Sequence, residues 1–193
     1  MRPINRFLTM AMVNAIAVFC SVGAQAMNID PMIDLSDPKE QGAWMIVNDG
    51  VMGGLSSSEF VDSGEGFAVF QGDLSLENNG GFASVRGIVP LGAMDSHNGL
   101  ALRVRGDGRT YQVRLRTNRQ FDGVAYMAEF QTRAGAWETI EIPFSAFEAT
   151  YRGMKPRGAP VLAPGEIRQL GLLIGDKVEG PFRLDVEWIR PVG

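Results

Sequence analysis

The sequence offers little thiol or imidazole chemistry. Its 193 residues include one cysteine, Cys20, and one histidine, His97. Cys20 lies in an amino-terminal segment that we expect to be removed, so the mature chain would hold neither disulfides nor thiolate metal sites. His97 sits in a turn-like stretch, and no Gly-x-Ser-x-Gly nucleophile elbow exists for which it could act as a base. We therefore predict a protein that is not an enzyme and that has no cofactor, and the sequence identifies no metal-binding residues.

A pair of carboxylates is the remaining catalytic option, because glycoside hydrolysis needs two of them at a set separation in space. The candidates are Asp49, Asp73, Asp107 and Asp176. Each stands beside a glycine, which favours a role in a turn.

Positive charge and long apolar runs are also scarce. Lys and Arg number 18 against 22 Asp and Glu, for a formal net charge of −4. Such a chain has no overall basic field to recruit nucleic acid. The apolar run from Phe7 to Val22 is interrupted by Thr9 and Asn14 and falls short of the roughly 20 residues that a spanning helix needs. We expect no nucleic-acid partner and no membrane-spanning segment.

The first 26 residues have the pattern of a secretory signal peptide. Arg2 and Arg6 precede the apolar run, and Ala24-Gln25-Ala26 forms a small-x-small cleavage site. Removal of this segment leaves residues 27–193, which we predict to form a single domain. The export signal predicts a periplasmic or secreted location.

The rest of the chain lacks the i, i+3, i+4, i+7 apolar spacing of amphipathic helices, whereas alternation of apolar and polar residues recurs. A single helical turn is predicted after Asp37-Pro38. The strand candidates are 44–47, 57–61, 67–70, 82–88, 102–105, 111–115, 124–130, 140–144, 167–174 and 182–188. About ten strands with glycine-rich turns predict an all-β jelly-roll sandwich. In the last of these strands the alternation places Trp188 on the core-facing side.

Four arginines mark the pair of strands at 102–105 and 111–115, which a Gly-Asp-Gly turn joins into a predicted hairpin. Its outward positions are Arg103, Arg105, Arg114 and Arg116. Like charges on paired strands destabilise a sheet by about 0.2–1 kcal/mol unless they are offset. The offset is either acidic neighbours, with Glu129, Glu141, Asp185 and Glu187 as candidates, or an acidic partner or ligand, because arginine forks suit carboxylate and phosphate.

Two glycine-rich segments, 47–58 and 77–86, contain more Gly and Asx than simple turns require. Turn geometry explains most of their residues, because glycine supplies positive φ and Asn48 and Asp49 can close Asx turns. The alternative is a rim loop that presents backbone amides and the Asp49 carboxylate to a ligand. We expect Asp49, Met52 and the Asn79–Gly81 turn to lie together at one rim, with Arg86 and Asp107 near them.

These motifs resemble the complex I intermediate-associated protein 30 family. The resemblance rests on Trp44, the run from Asn48 to Ser56, the run from Phe70 to Arg86, the run from Arg105 to Tyr111, and in the same order Trp137, Ile142-Pro143-Phe144, Phe147, Arg152-Gly153 and Gly180-Pro181-Phe182. It spans about Asp34 to Ile189.

The resemblance implies a galactose-binding-like jelly roll and the role of an assembly chaperone for respiratory complex I. It brings no catalytic residues. The family's shared loop positions, as candidates for ligand or partner binding, are Asp49, Gly50, Met52, Gly53, Gly54, Asn79, Gly80, Gly81, Arg86, Asp107 and Arg109. Mitochondrial members carry matrix-targeting segments, whereas this chain begins with an export signal.

We therefore predict a non-catalytic binding and assembly module that engages a protein client, such as a respiratory membrane complex, or another periplasmic ligand through its rim loops. The alternative is a carbohydrate-binding module of the same fold. Sugar sites need aromatic platforms, for which Trp44, Trp137 and Trp188 are the candidates.

Overall fold

The computed structural model describes residues 33–193 as two antiparallel β-sheets packed face to face. The predicted signal peptide, residues 1–26, and its cleavage site lie outside the described residues. Within residues 33–193, no helix has the length and apolar character needed to cross a membrane.

Strands account for most of the regular structure. They are β1 (Ile33–Asp34), β2 (Met45–Ile46), β3 (Ser57–Asp62), β4 (Ala68–Leu74), β5 (Ala83–Ile88), β6 (Gly99–Gly106), β7 (Thr110–Arg116), β8 (Ala125–Gln131), β9 (Trp137–Pro143), β10 (Glu148–Thr150), β11 (Gln169–Ile174) and β12 (Gly180–Val192). The helix α1 covers Pro38–Gln41, and single 3₁₀ turns cover Asp49–Met52, Glu77–Asn79, Phe144–Ala146 and Pro164–Glu166. All ten strand candidates from the sequence are present.

The strands form two six-stranded sheets, which confirms the predicted jelly-roll sandwich. Sheet A has the order β3-β4-β12-β6-β9, with β1 also paired to β12. Sheet B has the order β10-β8-β7-β11-β5-β2. Consecutive strands fall in different sheets at several points, so the chain repeatedly crosses from one layer to the other.

The core fills the space between the two sheets. Inward side chains such as Phe70 and Leu184 from sheet A and Val113 and Leu172 from sheet B are fully buried. Each large apolar side chain buried in this way contributes about 1.5–3 kcal/mol. With a core of this kind between them, the outward faces of the two sheets are free to carry polar side chains.

The short helix begins as the sequence predicts. Asp37 Oδ1 accepts a hydrogen bond from the backbone amide of Lys39 at 2.9 Å, and Pro38 occupies the first helical position. Gln41 is buried and donates through Nε2 to the Leu35 carbonyl at 2.8 Å. The helix therefore closes one end of the sandwich next to β1.

The predicted arginine hairpin is wrong, because β6 and β7 belong to different sheets. β6 pairs with β9 and β12 in sheet A, and β7 pairs with β8 and β11 in sheet B. Alternation determines which residues face inward but not which strand is the partner. Gly106 permits the crossing, since a Cβ there would lie 2.3 Å from Thr132 Oγ1. The four arginines consequently divide two and two between opposite faces of the molecule.

The core-facing prediction for Trp188 is also wrong. Val186 pairs with Val104 and Trp188 pairs with Arg103, so Glu187 is an extra residue in β12. A bulge of this kind reverses the alternation beyond it. Ile189 is accordingly buried, while the Trp188 ring faces outward beneath the Arg190 guanidinium, 4.4 Å from its centroid.

Candidate functional site

Asp49 joins the two glycine-rich segments from the inside. Its side chain is buried, and its carboxylate accepts hydrogen bonds from Ser56 Oγ at 2.5 Å, Ser56 N at 3.0 Å, Gly81 N at 2.7 Å and Phe82 N at 3.3 Å. Burial alone would raise the pKa of Asp49, but the bonds from the Ser56 hydroxyl and these amides outweigh it and hold the pKa below its usual value. The carboxylate is thus committed to the protein's own backbone and is not presented to a ligand.

Two glycines let the backbone approach this carboxylate closely. A Cβ on Gly54 would lie 2.4 Å from Asp49 Cγ, and a Cβ on Gly80 would lie 2.6 Å from Asp49 Oδ2. Real Cβ contacts do not occur at such distances, so both positions exclude any side chain. The glycines therefore serve the packing of this structure, which we call the Asp49 knot and define as Asp49, Gly54, Ser56, Gly80 and Gly81.

The 3₁₀ turn that begins in the knot presents its apolar residues outward. Val51 and Met52 lie on the 3₁₀ turn that Asp49 opens, and their side chains are 61% and 58% exposed. Gly53 ends this turn with φ of 89°, a conformation that favours glycine. Asn79 and Gly50 are exposed beside it. The predicted proximity of the two loops is observed, with Asp49 inside and Met52 outside.

Asp107 and Arg109 belong to a second, separate arrangement. Asp107 Oδ2 accepts from the Tyr111 hydroxyl at 3.0 Å and from the Arg183 amide at 2.8 Å. Arg109 forms a two-point ion pair with Asp176, at 3.0 and 2.6 Å, and the hydrogen bond to Asp176 raises the pKa of Arg109. Both side chains fasten the β6–β7 crossing to β12 and do not line the same cavity as Met52.

A groove runs along the outward face of sheet B. It has a volume of about 760 Å³, and Met52, Gly81 and Arg86 form part of its lining. Its floor is the outward row of side chains from β5, β11, β7 and β8, where Gly171 pairs with Arg86 on one side and with Arg114 on the other. The groove therefore brings residues from four strands and from the Met52 loop to one surface.

Three arginines dominate the groove. The Arg86 guanidinium donates to the Phe121 carbonyl at 3.0 Å, Arg116 donates to the Gly123 carbonyl at 2.8 Å, and Arg114 donates to Gln112 Oε1 at 3.2 Å. Within residues 33–193, none of the three has a carboxylate at salt-bridge distance. We call Arg86, Arg114 and Arg116 the arginine trio.

Burial lowers the pKa of each arginine in the trio, and like charge lowers it further for two of them. Burial first, and then the charges of Arg116 and Arg114, lower the pKa of Arg86 to about 10. Burial and the charge of Arg116 likewise lower the pKa of Arg114. The pKa of Arg116 is lowered by burial, against the opposing effect of Asp122. An anion placed among them would relieve the repulsion of like charges.

The outward arginines of sheet A are neutralised instead. Arg105 pairs with the buried Asp185 at 2.7 Å, and Arg103 lies 3.8 Å from Glu187. Their guanidinium groups also stack near the Trp137 ring, 5.8 Å from its centroid for Arg103 and 5.0 Å for Arg105. Acidic neighbours thus offset the charge on sheet A, as one of the two sequence-based alternatives held, and fail to do so on sheet B.

None of the tryptophans among the described residues lines the groove. Trp44 packs on Phe60 with ring centroids 5.1 Å apart. Trp137 and Trp188 lie on the outward face of sheet A, where Trp137 packs edge-on to Phe67 at 5.4 Å. The groove consequently lacks the tryptophan platform on which the carbohydrate alternative depends.

Two of the candidate carboxylates, Asp49 and Asp176, are occupied by contacts within the protein. No three His, Cys, Asp or Glu side chains in residues 33–193 come together as a metal site would require. Asp49 and Asp176 are each held in a different hydrogen-bonded arrangement. The Nδ1 atom of His97 is buried without a hydrogen-bond partner.

Sequence reasoning named three of the groove's residues, Met52, Gly81 and Arg86, and overlooked the others as site residues. Arg114 and Arg116 were singled out only as unusual charges. No sequence pattern marks Phe121, which is 55% exposed and whose ring centroid lies 5.6 Å from the Arg86 guanidinium. The available signal was the alternation of arginine along β7 without acidic residues in the same strand.

Comparison with known proteins identifies relatives over most of the chain. Residues 33–186 match the family model of complex I intermediate-associated protein 30. The mitochondrial protein of that name from Mus musculus is 30% identical over 166 residues, covering 76% of this chain and 51% of the relative. The one from Drosophila melanogaster is 25% identical over 182 residues, covering 83% and 62%. The chain spans about half the length of the mouse relative.

Solved structures share the fold at low sequence identity. A family 11 carbohydrate-binding module from Clostridium thermocellum, in complex with a β-1,3-1,4-mixed-linked tetrasaccharide, superposes with a TM-score of 0.60 at 18% identity, covering 78% of this chain and 89% of the module. The agarase AgWH50C gives a TM-score of 0.55 at 13% identity, covering 84% of this chain and 24% of the enzyme. These likenesses establish a shared sandwich architecture.

The relatives correct one prediction. They are named as mitochondrial proteins, so the prediction of a periplasmic or secreted location is wrong. Arginine near the start and an absence of acidic residues are common to bacterial export signals and mitochondrial targeting segments, and residues 1–26 have both features. By its match over residues 33–186, the chain belongs to the complex I intermediate-associated protein 30 family.

Proposed function

We propose that this chain is a non-catalytic binding module that acts on assembly intermediates of respiratory complex I and holds a protein client in the groove of sheet B. The names of its relatives support the choice of complex I. The observation that carries the proposal is the arginine trio, which lies in the groove with no carboxylate at salt-bridge distance among residues 33–193. The assembly role is proposed from family membership, and the binding surface is proposed from the groove.

The composition of the groove favours a protein client. Beside the trio stand the exposed apolar side chains of Val51, Met52 and Phe121. Arginine together with aromatic residues and methionine is the combination enriched in protein interfaces. The carbohydrate alternative has the shared fold in its favour, but the groove offers no tryptophan platform among the described residues.

The loops predicted from the sequence acquire a supporting role in this proposal. Asp49, Gly54 and Gly80 fix the backbone of the knot, and the knot fixes the position of Met52. A binding surface held in advance loses less conformational entropy when the client arrives. We therefore assign binding to Met52 and the trio, and positioning to the knot.

Capture of complex I subunits tests the proposal. The immobilised full chain is incubated with detergent-solubilised respiratory membranes, and retained complex I subunits are quantified by mass spectrometry. The test variant is Met52→Ser with Phe121→Ser. The matched control is Leu91→Ser with Val161→Ser, which removes two apolar side chains that are 65% and 91% exposed and lie outside the groove.

We expect the groove variant to retain at least about tenfold less complex I, since loss of two interface contacts of this type costs more than about 1 kcal/mol each. The control should retain as much as the unsubstituted chain. Equal retention by both variants would remove the groove from the proposal, and failure of the unsubstituted chain to retain any complex I subunit would refute the assembly role itself.

A further inference from the structure

The strand register places the arginine trio around an open centre. Arg86 on β5 and Arg114 on β7 flank Gly171 on β11, so the two Cα atoms are separated by two strand spacings, about 10 Å. Arg116 follows two residues along β7, about 7 Å from Arg114. Gly171 has no side chain to occupy the space between them, and three long side chains can therefore converge on one ligand.

The trio retains most of its hydrogen-bonding capacity. A guanidinium has five N–H donors. Arg86 uses NH1 toward Phe121 and Gln169, Arg114 uses only Nε toward Gln112, and Arg116 uses only NH1 toward Gly123. Arg86 and Arg114 are partly exposed and have donors left to bind an anion, whereas Arg116 is buried and contributes mainly its charge.

Charge distinguishes this groove from the molecule as a whole. Its lining contains five cationic side chains, those of the trio with Arg152 and Lys177, against the two carboxylates of Asp122 and Glu129, which is an excess of three positive charges. The complete sequence carries a formal net charge of −4. An acidic ligand would therefore be drawn to this surface in preference to the rest of the chain.

We infer that the groove of sheet B binds an extended acidic segment of the client protein, with carboxylates held by the forks of Arg86 and Arg114 beside the charge of Arg116, and neighbouring apolar side chains packed on Met52 and Phe121. This inference rests on the proposed function and specifies the chemistry of its client. Arginine forks match the planar, two-oxygen geometry of a carboxylate.

Size and surroundings favour a peptide over other anions. A groove of about 760 Å³ is of the size that accommodates a ligand much larger than a single phosphate. The exposed apolar side chains of Val51, Met52 and Phe121 at its edge offer nothing to a free phosphate and would pack against the apolar residues of a peptide. A protein segment can carry acidic and apolar side chains together.

Binding of a defined peptide tests the inference. The probe is a fluorescein-labelled peptide of alternating glutamate and leucine, measured by fluorescence anisotropy with the full chain, and its reference is the same peptide with glutamine in place of glutamate. The test variant is Arg114→Gln, because Arg114 donates a single hydrogen bond, to the Gln112 side chain, whereas Arg86 and Arg116 each donate to a backbone carbonyl. The matched control is Arg103→Gln, an outward arginine of the neutralised sheet A.

We expect the acidic peptide to bind, the glutamine peptide not to bind, and Arg114→Gln to weaken binding about tenfold to a hundredfold, as for loss of a hydrogen bond between charged groups. Arg103→Gln should bind like the unsubstituted chain. Arg114→Lys, which keeps the charge but not the fork, should give an intermediate loss and provides a second variant should Arg114→Gln fold poorly.

Three outcomes would overturn the inference: equal binding by Arg114→Gln and the unsubstituted chain, complete competition by inorganic phosphate at the concentration of the peptide, or binding of a mixed-linked tetrasaccharide in the groove with no binding of the peptide. Its failure is distinct from that of the proposed function. Suppose that Arg114→Gln retains complex I subunits while Met52→Ser with Phe121→Ser loses them. The groove then remains the proposed binding surface, and the inference of an acidic client is refuted.

Discussion

Replacement of Asp49 by alanine should destabilise the fold, because it removes the hydrogen bonds that hold the knot together. The carboxylate accepts from three backbone amides, those of Ser56, Gly81 and Phe82, and from the Ser56 hydroxyl. The hydroxyl already has a second acceptor in the Ser75 carbonyl at 3.2 Å, so its loss is small. The three amides lose their acceptor at about 1–1.5 kcal/mol each, for a total of about 3–4.5 kcal/mol.

Urea denaturation followed by tryptophan fluorescence measures this change in the free energy of unfolding. Asp73→Ala is the matched control, because Asp73 is an exposed carboxylate on the neighbouring strand β4 and should change stability by less than about 0.5 kcal/mol. A loss below about 1 kcal/mol for Asp49→Ala would refute the view that the knot holds the two loops together.

The same variant has a characteristic dependence on pH. The pKa of Asp49 in the folded protein lies below its usual value of 3.8. Its contribution is therefore complete above that value and is lost as the pH falls through the folded pKa. The stability difference between the unsubstituted chain and Asp49→Ala should stay constant down to about pH 4 and shrink in stronger acid.

Two further substitutions on sheet A test the distinction between its buried and exposed contacts. Asp185→Ala should lower the free energy of unfolding in urea melts by about 2 kcal/mol, because it leaves Arg105 and Arg183 without their shared carboxylate. Glu187→Ala should lower it by at most about 0.5 kcal/mol, because its contact with Arg103 is exposed. Equal losses for the two variants would contradict the structure. Trp188→Ala should lower the free energy of unfolding by about 1–2 kcal/mol, less than the loss of a tryptophan in the core. A loss above about 3 kcal/mol would indicate that Trp188 is buried in the core.

The existence of the strands could be predicted from the sequence, but their partners could not. Apolar and polar residues alternate along β7 and β12 because one face of each strand meets the core. The same alternation fits a hairpin and a crossing between sheets equally well, which is why β6 and β7 were paired in error. The sequence of β12 gives no sign that Glu187 is an extra residue. The outward position of Trp188 therefore follows only from the observed pairing of β12 with β6.

The candidate site, like the fold, could be predicted only in part from the sequence. The Asp49 and Gly81 loops contain more glycine and Asx residues than simple turns require, and this predicted that the two loops would lie together. The direction of each side chain was beyond prediction, because a buried carboxylate and an exposed one occur in identical sequence patterns. The trio requires β5 and β7 to lie on either side of β11, a strand that follows β7 by more than fifty residues, and no local pattern encodes that neighbourhood.

The contrast between the two outward faces argues that the trio is retained for a ligand. Sheet A shows that the fold can neutralise outward arginines, since Asp185 and Glu187 stand beside Arg105 and Arg103. Glu129 occupies a comparable outward position on sheet B, but it accepts from Gln112 and not from an arginine. Stability alone would favour acidic neighbours here too, because the like charges of the trio disfavour the charged forms of Arg86 and Arg114. A local rule that Asp122 offsets only in part is the expected mark of a functional surface, and an acidic client would supply the remaining compensation from outside.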